Sequence, residues 1–245
     1  MDLPESPTTR RALLAGVGTV VAGGGIVYGA SQRETESADL PEAAFHRSSN
    51  TTDAGVDLRG HPVAGSMDAP VDVYYWSDYQ CPFCRRFERN TLPKLVETHV
   101  QSGTVRLVFV QYPYLGKSSM TAAVVDRCVW RQVRAERPRA YWRWHATLFD
   151  EQGSENSGWA SRDNLLDVTR GVEGVDANAV DDCMRERRSE IESSIREDVE
   201  RASRFDIRGT PAFVLYNREE DVAGKITGAQ PFDRFDEAIT RVQNA

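Results

Sequence analysis

The chain contains little lysine and has no excess of positive charge. Three of its 30 basic residues are lysines (Lys94, Lys117 and Lys225) and the others are arginines, against 37 acidic residues, so the formal net charge is -7. A protein that binds nucleic acid ordinarily carries a large basic face. The composition therefore argues against nucleic acid as a partner.

Cysteine and histidine are also scarce. The four cysteines are Cys81, Cys84, Cys128 and Cys183, and the four histidines are scattered along the chain. A zinc site usually needs four ligands, often supplied as two spaced pairs, and Cys81 and Cys84 form a single close pair. The sequence therefore predicts no metal site. Cys128 and Cys183 are compatible with a structural disulfide, which an oxidising compartment favours, or with two separate buried thiols.

The N-terminus has the pattern of an export segment. Arg10 and Arg11 follow a threonine and precede a stretch without charge, from Ala12 to Gln32. A basic start followed by an apolar run is typical of an export signal, and the paired arginines resemble a prokaryotic twin-arginine signal. A membrane anchor is the alternative, because about 20 apolar residues can span a bilayer. Residues 1–33 are therefore predicted to be an export signal or a membrane anchor.

The segment that follows is polar and acidic, and it has no hydrophobic period. We predict a flexible acidic linker over residues 34–59. The protein is then expected outside the cytoplasm, whether cleaved or anchored. It would lie at the outer face of the cytoplasmic membrane, in a periplasm-like space, or be secreted.

The remaining chain divides into three blocks by its pattern of elements. Residues 60–116 predict a strand over 71–76, a helix from about Pro82 to Val100 with a possible kink at Pro93, and a strand over 104–110. Residues 117–205 predict helices alone, over 120–136, 139–149, 161–170, 176–187 and 188–204. Residues 206–245 predict strands over 211–216 and 222–227 and a closing helix over 232–242. The order is βαβ, a helical block, then ββα.

The close cysteine pair, Cys81-Pro82-Phe83-Cys84, lies between the first predicted strand and the first predicted helix. The first turn of a helix has free N–H groups and a positive dipole end, so a thiolate on Cys81 is stabilised and its pKa should fall. Pro82 suits the first helical position because its missing N–H costs nothing there. Cys84, one turn further on, is expected to be less exposed. A Cys81 thiolate would be a good leaving group in disulfide exchange.

A second candidate element is Gly209-Thr210-Pro211 at the entry to a predicted strand. Proline is unusual inside a strand entry unless its peptide bond is cis or it lies at an edge. An ordinary trans turn proline is the other interpretation. The sequence by itself leaves both open.

The stretch from Trp76 to Cys84, the helical block, and the stretch from Phe205 to Phe213 together resemble the DsbA-like thioredoxin family. The resemblance implies an α/β thioredoxin fold with an inserted all-helical domain. It implies that Pro211 is cis and lies against the cysteine pair, and that the Thr210 backbone pairs with an extended substrate segment. Pro82 and Phe83 would complete the substrate-binding surface.

The resemblance also implies an activity. Cys81 would be the sulfur that substrates attack, and Cys84 would resolve the mixed disulfide. The enzyme would introduce disulfide bonds into thiol-containing exported proteins, without a cofactor, and a membrane quinone-linked partner of the DsbB or VKOR type would reoxidise it. A disulfide reductase or isomerase on the same scaffold is an alternative, and so is a non-catalytic chaperone or assembly factor.

Two positions depart from the family pattern. Many members have a buried acid six residues before the first cysteine, where this chain has Tyr75, and Asp72 or Asp78 could substitute for it. Phe83 stands where strong oxidants of the family often have histidine. Because phenylalanine gives the thiolate neither charge nor a hydrogen bond, a milder oxidant is expected. Arg85 and its neighbour Arg86 could partly compensate for the missing charge, but both are expected to be solvated surface residues.

Overall fold

The computed structural model describes residues 51, 52 and 54–245. The predicted export signal or anchor and most of the predicted acidic linker lie outside these residues. Within them, no helix has the length and apolar character needed to cross a membrane.

A five-stranded mixed sheet forms the centre of the fold. Its strands are β1 (Val63–Ala64), β2 (Val71–Ser77), β3 (Val105–Gln111), β4 (Ala212–Asn217) and β5 (Val222–Thr227), in the order β1-β3-β2-β4-β5. Strand β2 is parallel to β3 and antiparallel to β4. Every residue of β2 and β3 is buried, as expected for central strands covered on both faces.

The helices are α1 (Pro82–Asn90), α2 (Leu92–Leu95) with a π-helical turn over Val96–Val100, α3 (Lys117–Val133), α4 (Pro138–Asp150), α5 (Arg162–Arg170), α6 (Ala177–Ser203) and α7 (Phe232–Gln243). The predicted kink near Pro93 is present as a break between α1 and α2 at Thr91. Proline has no N–H to donate and its ring crowds the preceding turn, which explains the position of the break.

The helical block contains one correction. Two helices were predicted over 176–187 and 188–204, but α6 is continuous over 27 residues. No glycine or proline interrupts it, and ion pairs three or four residues apart, such as Arg188–Glu192, support its exposed face. Asp176 caps α6 by accepting hydrogen bonds from the Asn178 and Ala179 N–H groups, and Ser161 caps α5.

The two faces of the sheet carry different apolar clusters. Odd-numbered positions of β2, such as Tyr75, face α1 and the helical block, whereas even-numbered positions, such as Tyr74, face the opposite side. Val56 and Leu58 are buried in this second cluster. The predicted linker therefore extends too far toward the C-terminus, because two apolar residues within its polar sequence belong to the core.

Candidate active site

The close cysteine pair lies at the start of α1, after the loop that follows β2. Cys81 is the N-cap of α1 and Pro82 occupies its first turn. Both thiols are free, and both cysteines are buried, Cys81 at 1% and Cys84 at 0% exposure. The side chain of Phe83 between them is 51% exposed. The residue between the two cysteines is thus at the surface, while the cysteines themselves are buried.

The Thr210–Pro211 segment lies against this pair. Its peptide bond is cis, as the resemblance implied, and it precedes β4. The Cys81 sulfur lies 3.3 Å from the Thr210 carbonyl oxygen, to which it donates a hydrogen bond when it is protonated. Two segments that are 129 residues apart in sequence therefore meet at the sulfur of Cys81.

The two thiols have opposite electrostatic surroundings. Hydrogen bonding from the Cys84 thiol lowers the pKa of Cys81 to about 6, opposed by burial and aided by the Thr210 side chain and by the backbone N–H groups of Cys84 and Phe83. Burial, together with the neighbouring Cys81, raises the pKa of Cys84 well above its ordinary value. At neutral pH, Cys81 is a thiolate and Cys84 a thiol.

Two large apolar side chains are exposed in the described part of the chain, and both flank Cys81. They are Phe83 and Tyr114, the latter 46% exposed. Burial and the negative charge of Cys81 raise the pKa of Tyr114, which reflects its closeness to the sulfur. The sequence reasoning missed Tyr114 because it follows β3, far from either motif.

Arg85 and Arg86 differ in their surroundings. Arg85 is not the solvated side chain that was expected, because its guanidinium donates hydrogen bonds to the carbonyl oxygens of Gln152 and Asp150. Arg86 is exposed, with its guanidinium 5.1 Å from the centre of the Phe83 ring. Arg85 therefore ties α1 to the end of α4.

Gln152, in the loop after α4, holds the segment that carries Cys81. Its side-chain amide donates hydrogen bonds to the carbonyl oxygens of Tyr79, at 2.6 Å, and Cys81, at 3.1 Å. Since no local motif surrounds Gln152, its role emerges from the packing of the helical block against the sheet.

Neither aspartate near Tyr75 takes the place of the missing buried acid. Asp72 lies on the opposite face of β2 and pairs with Arg106 at 2.7 Å. Asp78 accepts hydrogen bonds from the backbone N–H groups of Gln80, Tyr114 and Leu115. Burial raises the pKa of Asp78 in spite of these bonds. Asp78 therefore fixes the loop that carries Tyr114.

The remaining cysteines lie in the helical block. Cys128 of α3 and Cys183 of α6 are joined in a disulfide, with 5.8 Å between their Cα atoms. Of the two interpretations left open by the sequence, the structure has the paired one. The described residues contain no cluster of three or more histidine, cysteine or acidic side chains suited to a metal ion.

Comparison with known proteins gives a consistent set of relatives. A family model described as thioredoxin matches residues 58–240. The disulfide bond formation protein D of Bacillus subtilis (strain 168) is 27% identical over 176 residues, which cover 69% of this chain and 77% of that protein. The probable disulfide bond formation protein D of Bacillus anthracis is 28% identical over 149 residues, covering 60% of this chain and 66% of that protein.

Solved structures agree with this result. The oxidised form of BdbD from Bacillus subtilis is similar with a TM-score of 0.65 and 26% identity, covering 77% of this chain and 96% of that one. The Wolbachia pipientis protein alpha-DsbA1 is similar in fold, with a TM-score of 0.63 and 21% identity over 75% of this chain and 91% of that one.

Proposed function

Since the chain belongs to the thioredoxin family and is a DsbA-like thiol–disulfide oxidoreductase, we propose that it introduces disulfide bonds into exported proteins through Cys81 and Cys84. The observation that carries this direction is the contrast between the two thiols. The pKa of Cys81 is lowered to about 6, whereas that of Cys84 is raised. A stabilised thiolate favours the reduced form of the pair, so the oxidised pair readily gives its disulfide away.

The reaction consists of two exchanges. A substrate thiolate attacks the Cys81 sulfur of the oxidised pair, a bond forms between the two sulfurs, and Cys84 leaves with the electron pair of the broken disulfide. A second substrate thiolate then attacks the substrate sulfur of this mixed disulfide, and Cys81 leaves as a thiolate. The substrate loses two electrons and the cysteine pair gains them.

The substrate is proposed to be an extended segment of a thiol-containing protein. Thr210 and the cis Pro211 lie against Cys81, where the Thr210 backbone can pair with such a segment. Pro82 and Phe83 are exposed beside the sulfur, and Tyr114 faces it from the other loop. Apolar residues next to the substrate cysteine would bury these rings on binding.

The proposal also covers where the protein is located and which partner accepts electrons from its reduced cysteine pair. Residues 1–33 would direct export, through the twin-arginine type of signal, or anchor the protein to the membrane. Residues 60–116 and 206–245 would form the two halves of the thioredoxin fold, with residues 117–205 inserted between them. A membrane quinone-linked reoxidase of the DsbB or VKOR type would restore the disulfide of the cysteine pair.

The redox potential of the pair tests this direction. The full chain, with Cys128→Ser and Cys183→Ser to isolate the active pair, is equilibrated in glutathione buffers and its thiols are trapped. We expect a potential of roughly -120 to -180 mV, toward the more negative end because Phe83 offers the thiolate no charge. A value near that of thioredoxin, roughly -270 mV, would reverse the proposed direction and make the protein a reductase.

A cellular test separates catalysis from a chaperone role. Disulfide formation in exported proteins should be lost in cells that carry Cys81→Ala, because this variant has no sulfur for substrates to attack. Full function of Cys81→Ala would instead favour a non-catalytic chaperone or assembly factor.

A further inference from the structure

A buried polar network lies behind the cysteine pair, on the α1 side of the sheet. Asp126 of α3 accepts hydrogen bonds from the hydroxyls of Tyr79 and Tyr141, each at 2.7 Å. His145 of α4 has Nδ1 at 2.7 Å from the Tyr79 hydroxyl and Nε2 at 3.0 Å from the Glu88 carboxylate oxygen. His145 is fully buried and the Glu88 side chain is 7% exposed.

The pattern of donors and acceptors limits how many protons the network holds. With Asp126 ionised, the Tyr79 proton points to Asp126, so the Tyr79 oxygen must accept a hydrogen bond from His145 Nδ1–H. The remaining contact, between His145 Nε2 and Glu88, then needs one proton. That proton can reside on the imidazole, giving an imidazolium and a carboxylate, or on Glu88, giving two neutral groups. In both arrangements Glu88 and His145 hold one proton between them.

Tyr75 lies close to both Glu88 and Cys84. Cys84, Phe87 and Glu88 share one face of α1 because they are three and four residues apart. The Tyr75 ring packs on the Phe87 ring, with 4.9 Å between centroids.

The Tyr75 hydroxyl is buried and has no partner in hydrogen-bonding geometry among the described residues. Burial raises the pKa of Tyr75, and the nearby Glu88 and Cys84 raise it further.

Cys84 needs a proton donor at this place. When a substrate attacks Cys81, Cys84 leaves as a thiolate inside an apolar core, with none of its surface exposed. Burial raises the pKa of Cys84 well above its ordinary value, so the thiolate must be protonated quickly. The backbone of α1 and the aromatic rings around Cys84 offer no acid for this step.

We propose that Glu88 and His145 store the proton that Cys84 takes up during exchange, and that the Tyr75 hydroxyl transfers it. Tyr75 gives its proton to the Cys84 sulfur and takes the stored proton from Glu88, so that one proton leaves the pair and one reaches Cys84. The pair then recovers a proton from solvent at Glu88. In the reverse direction, when Cys84 attacks a mixed disulfide on Cys81, its proton follows the same route back.

Other titratable or charged side chains surround the Glu88–His145 pair on several elements. They are Cys84 of α1, Tyr75 of β2, Tyr79 of the loop after β2, Asp126 and Arg127 of α3, and Tyr141 of α4. Asp126 is already saturated on one oxygen by the two tyrosine hydroxyls, and Tyr79 separates it from His145. Glu88 is therefore the acid in this network that lies next to Tyr75.

The inference rests on the proposed exchange at Cys81 and Cys84, and one reaction tests both. The full chain, reduced until two free thiols are counted, is mixed with an aromatic disulfide that releases a coloured thiolate. In a fast phase, the Cys81 thiolate attacks one sulfur of the reagent, breaks its disulfide bond, forms a mixed disulfide and releases the first coloured thiolate. In a slow phase, Cys84 attacks that mixed disulfide and releases the second coloured thiolate. The rates of both phases are followed against pH.

The variants are Glu88→Gln, Tyr75→Phe and, as the matched control, Tyr74→Phe. Tyr74 is the next residue of β2 and lies on the opposite face of the sheet, where its hydroxyl bonds to Asp72. We expect Glu88→Gln and Tyr75→Phe to slow the second phase at neutral pH by roughly a hundredfold, with a rate that keeps rising as hydroxide replaces the lost acceptor. Their fast phase, and both phases of Tyr74→Phe, should stay unchanged.

Two results would overturn these conclusions, and they differ from each other. If the slow phase of Glu88→Gln and Tyr75→Phe keeps the rate and pH profile of the unmodified chain, the proton store is wrong and the exchange mechanism stands. If the unmodified chain has no slow phase, the exchange between Cys84 and Cys81 is itself wrong. Misfolding of Glu88→Gln would show as a change in its fast phase. In that case Tyr75→Phe tests the proton store, because it removes a single hydroxyl that has no hydrogen-bond partner among the described residues.

Discussion

At the residue scale, the proposed chemistry depends on two identical side chains that the fold places in different surroundings. Cys81 lies at the end of a helix, where N–H groups and a neighbouring thiol stabilise its negative charge. Cys84, one turn further along α1, faces the core and meets little that stabilises a charge. The difference follows from helix geometry, since residues three apart differ in their distance from the helix terminus.

This asymmetry predicts how the stability of the reduced protein changes with pH. The pKa of Cys81 is about 6 in the folded chain and 9.0 ordinarily, so between these values the unfolded chain binds one proton more than the folded chain. The free energy of unfolding should therefore rise with pH in this window, by up to about 1.4 kcal/mol per pH unit from this group. Below pH 6 the contribution is lost.

Denaturant unfolding of the reduced chain and of Cys81→Ala at several pH values measures this effect. The difference in unfolding free energy between the two proteins should grow from pH 6 toward pH 9. Above that range, Cys84, whose pKa is raised, opposes the trend. Parallel stability curves for the two proteins across the whole window would contradict the lowered pKa of Cys81.

At the scale of elements, the helical block does more than fill space over the sheet. Its loop after α4 provides Gln152, which binds the carbonyl oxygens of Tyr79 and Cys81. Its helices α3 and α4 provide Asp126 and His145, which lie behind the cysteine pair. The insertion thus contributes directly to the surroundings of both thiols.

The disulfide between α3 and α6 should stabilise this block. Cys128 and Cys183 are 55 residues apart in sequence, and closing a loop of that size in the unfolded chain is worth roughly 4 kcal/mol in the chain-entropy model. The double variant Cys128→Ala/Cys183→Ala should lose about that much unfolding free energy. Its rate of exchange at Cys81 should be retained, because neither cysteine touches the active pair.

Denaturant titration with the Cys81–Cys84 pair oxidised in both proteins tests the role of the disulfide. The single variant Cys128→Ala serves as a comparison, since it breaks the same bond and leaves one thiol. A double variant as stable as the unmodified chain would show that the bond contributes nothing. Loss of exchange at Cys81 in a folded double variant would mean that the disulfide also shapes the active site.

At the scale of the whole molecule, the folded part begins earlier than its polar sequence indicates. Leu58 is buried at 1% exposure on the face of the sheet opposite α1. The residues between Leu58 and β1 contact the helical block through His61, whose Nε2 lies 3.0 Å from the Asp198 carboxylate of α6. Arg127 of α3 donates to the same carboxylate at 2.6 Å. The segment before β1 is therefore part of the core.

Truncation of Leu58 measures the contribution of that segment. Leu58→Ala removes a buried side chain and leaves a cavity, so it should lower the unfolding free energy by roughly 2 to 5 kcal/mol. Val222→Ala, at a half-exposed position of the edge strand β5, should cost much less. Equal and small effects of the two substitutions would contradict the inclusion of residues 56–58 in the core.

Much of the fold was predictable because its signals are local. The strands β2, β3, β4 and β5 and the closing helix lie within one or two residues of their predicted bounds, since hydrophobic period and turn residues report directly on them. The failures arose where a local pattern was ambiguous. The single helix α6 was predicted as two helices, and two apolar residues at 56 and 58 were assigned to a linker.

The sequence by itself determined the close cysteine pair and its place at the start of a helix, because this is a short motif with a direct physical reason. It left the isomer of Pro211 open, and a family resemblance implied that Pro211 lies against the pair. The tertiary structure decided the rest. It brought Thr210 to Cys81, Gln152 to the carbonyl oxygen of Cys81, and Glu88 to His145 beside Tyr75. These partners are between 57 and 129 residues apart, and contacts of that range depend on how helices pack against the sheet, which no local pattern encodes.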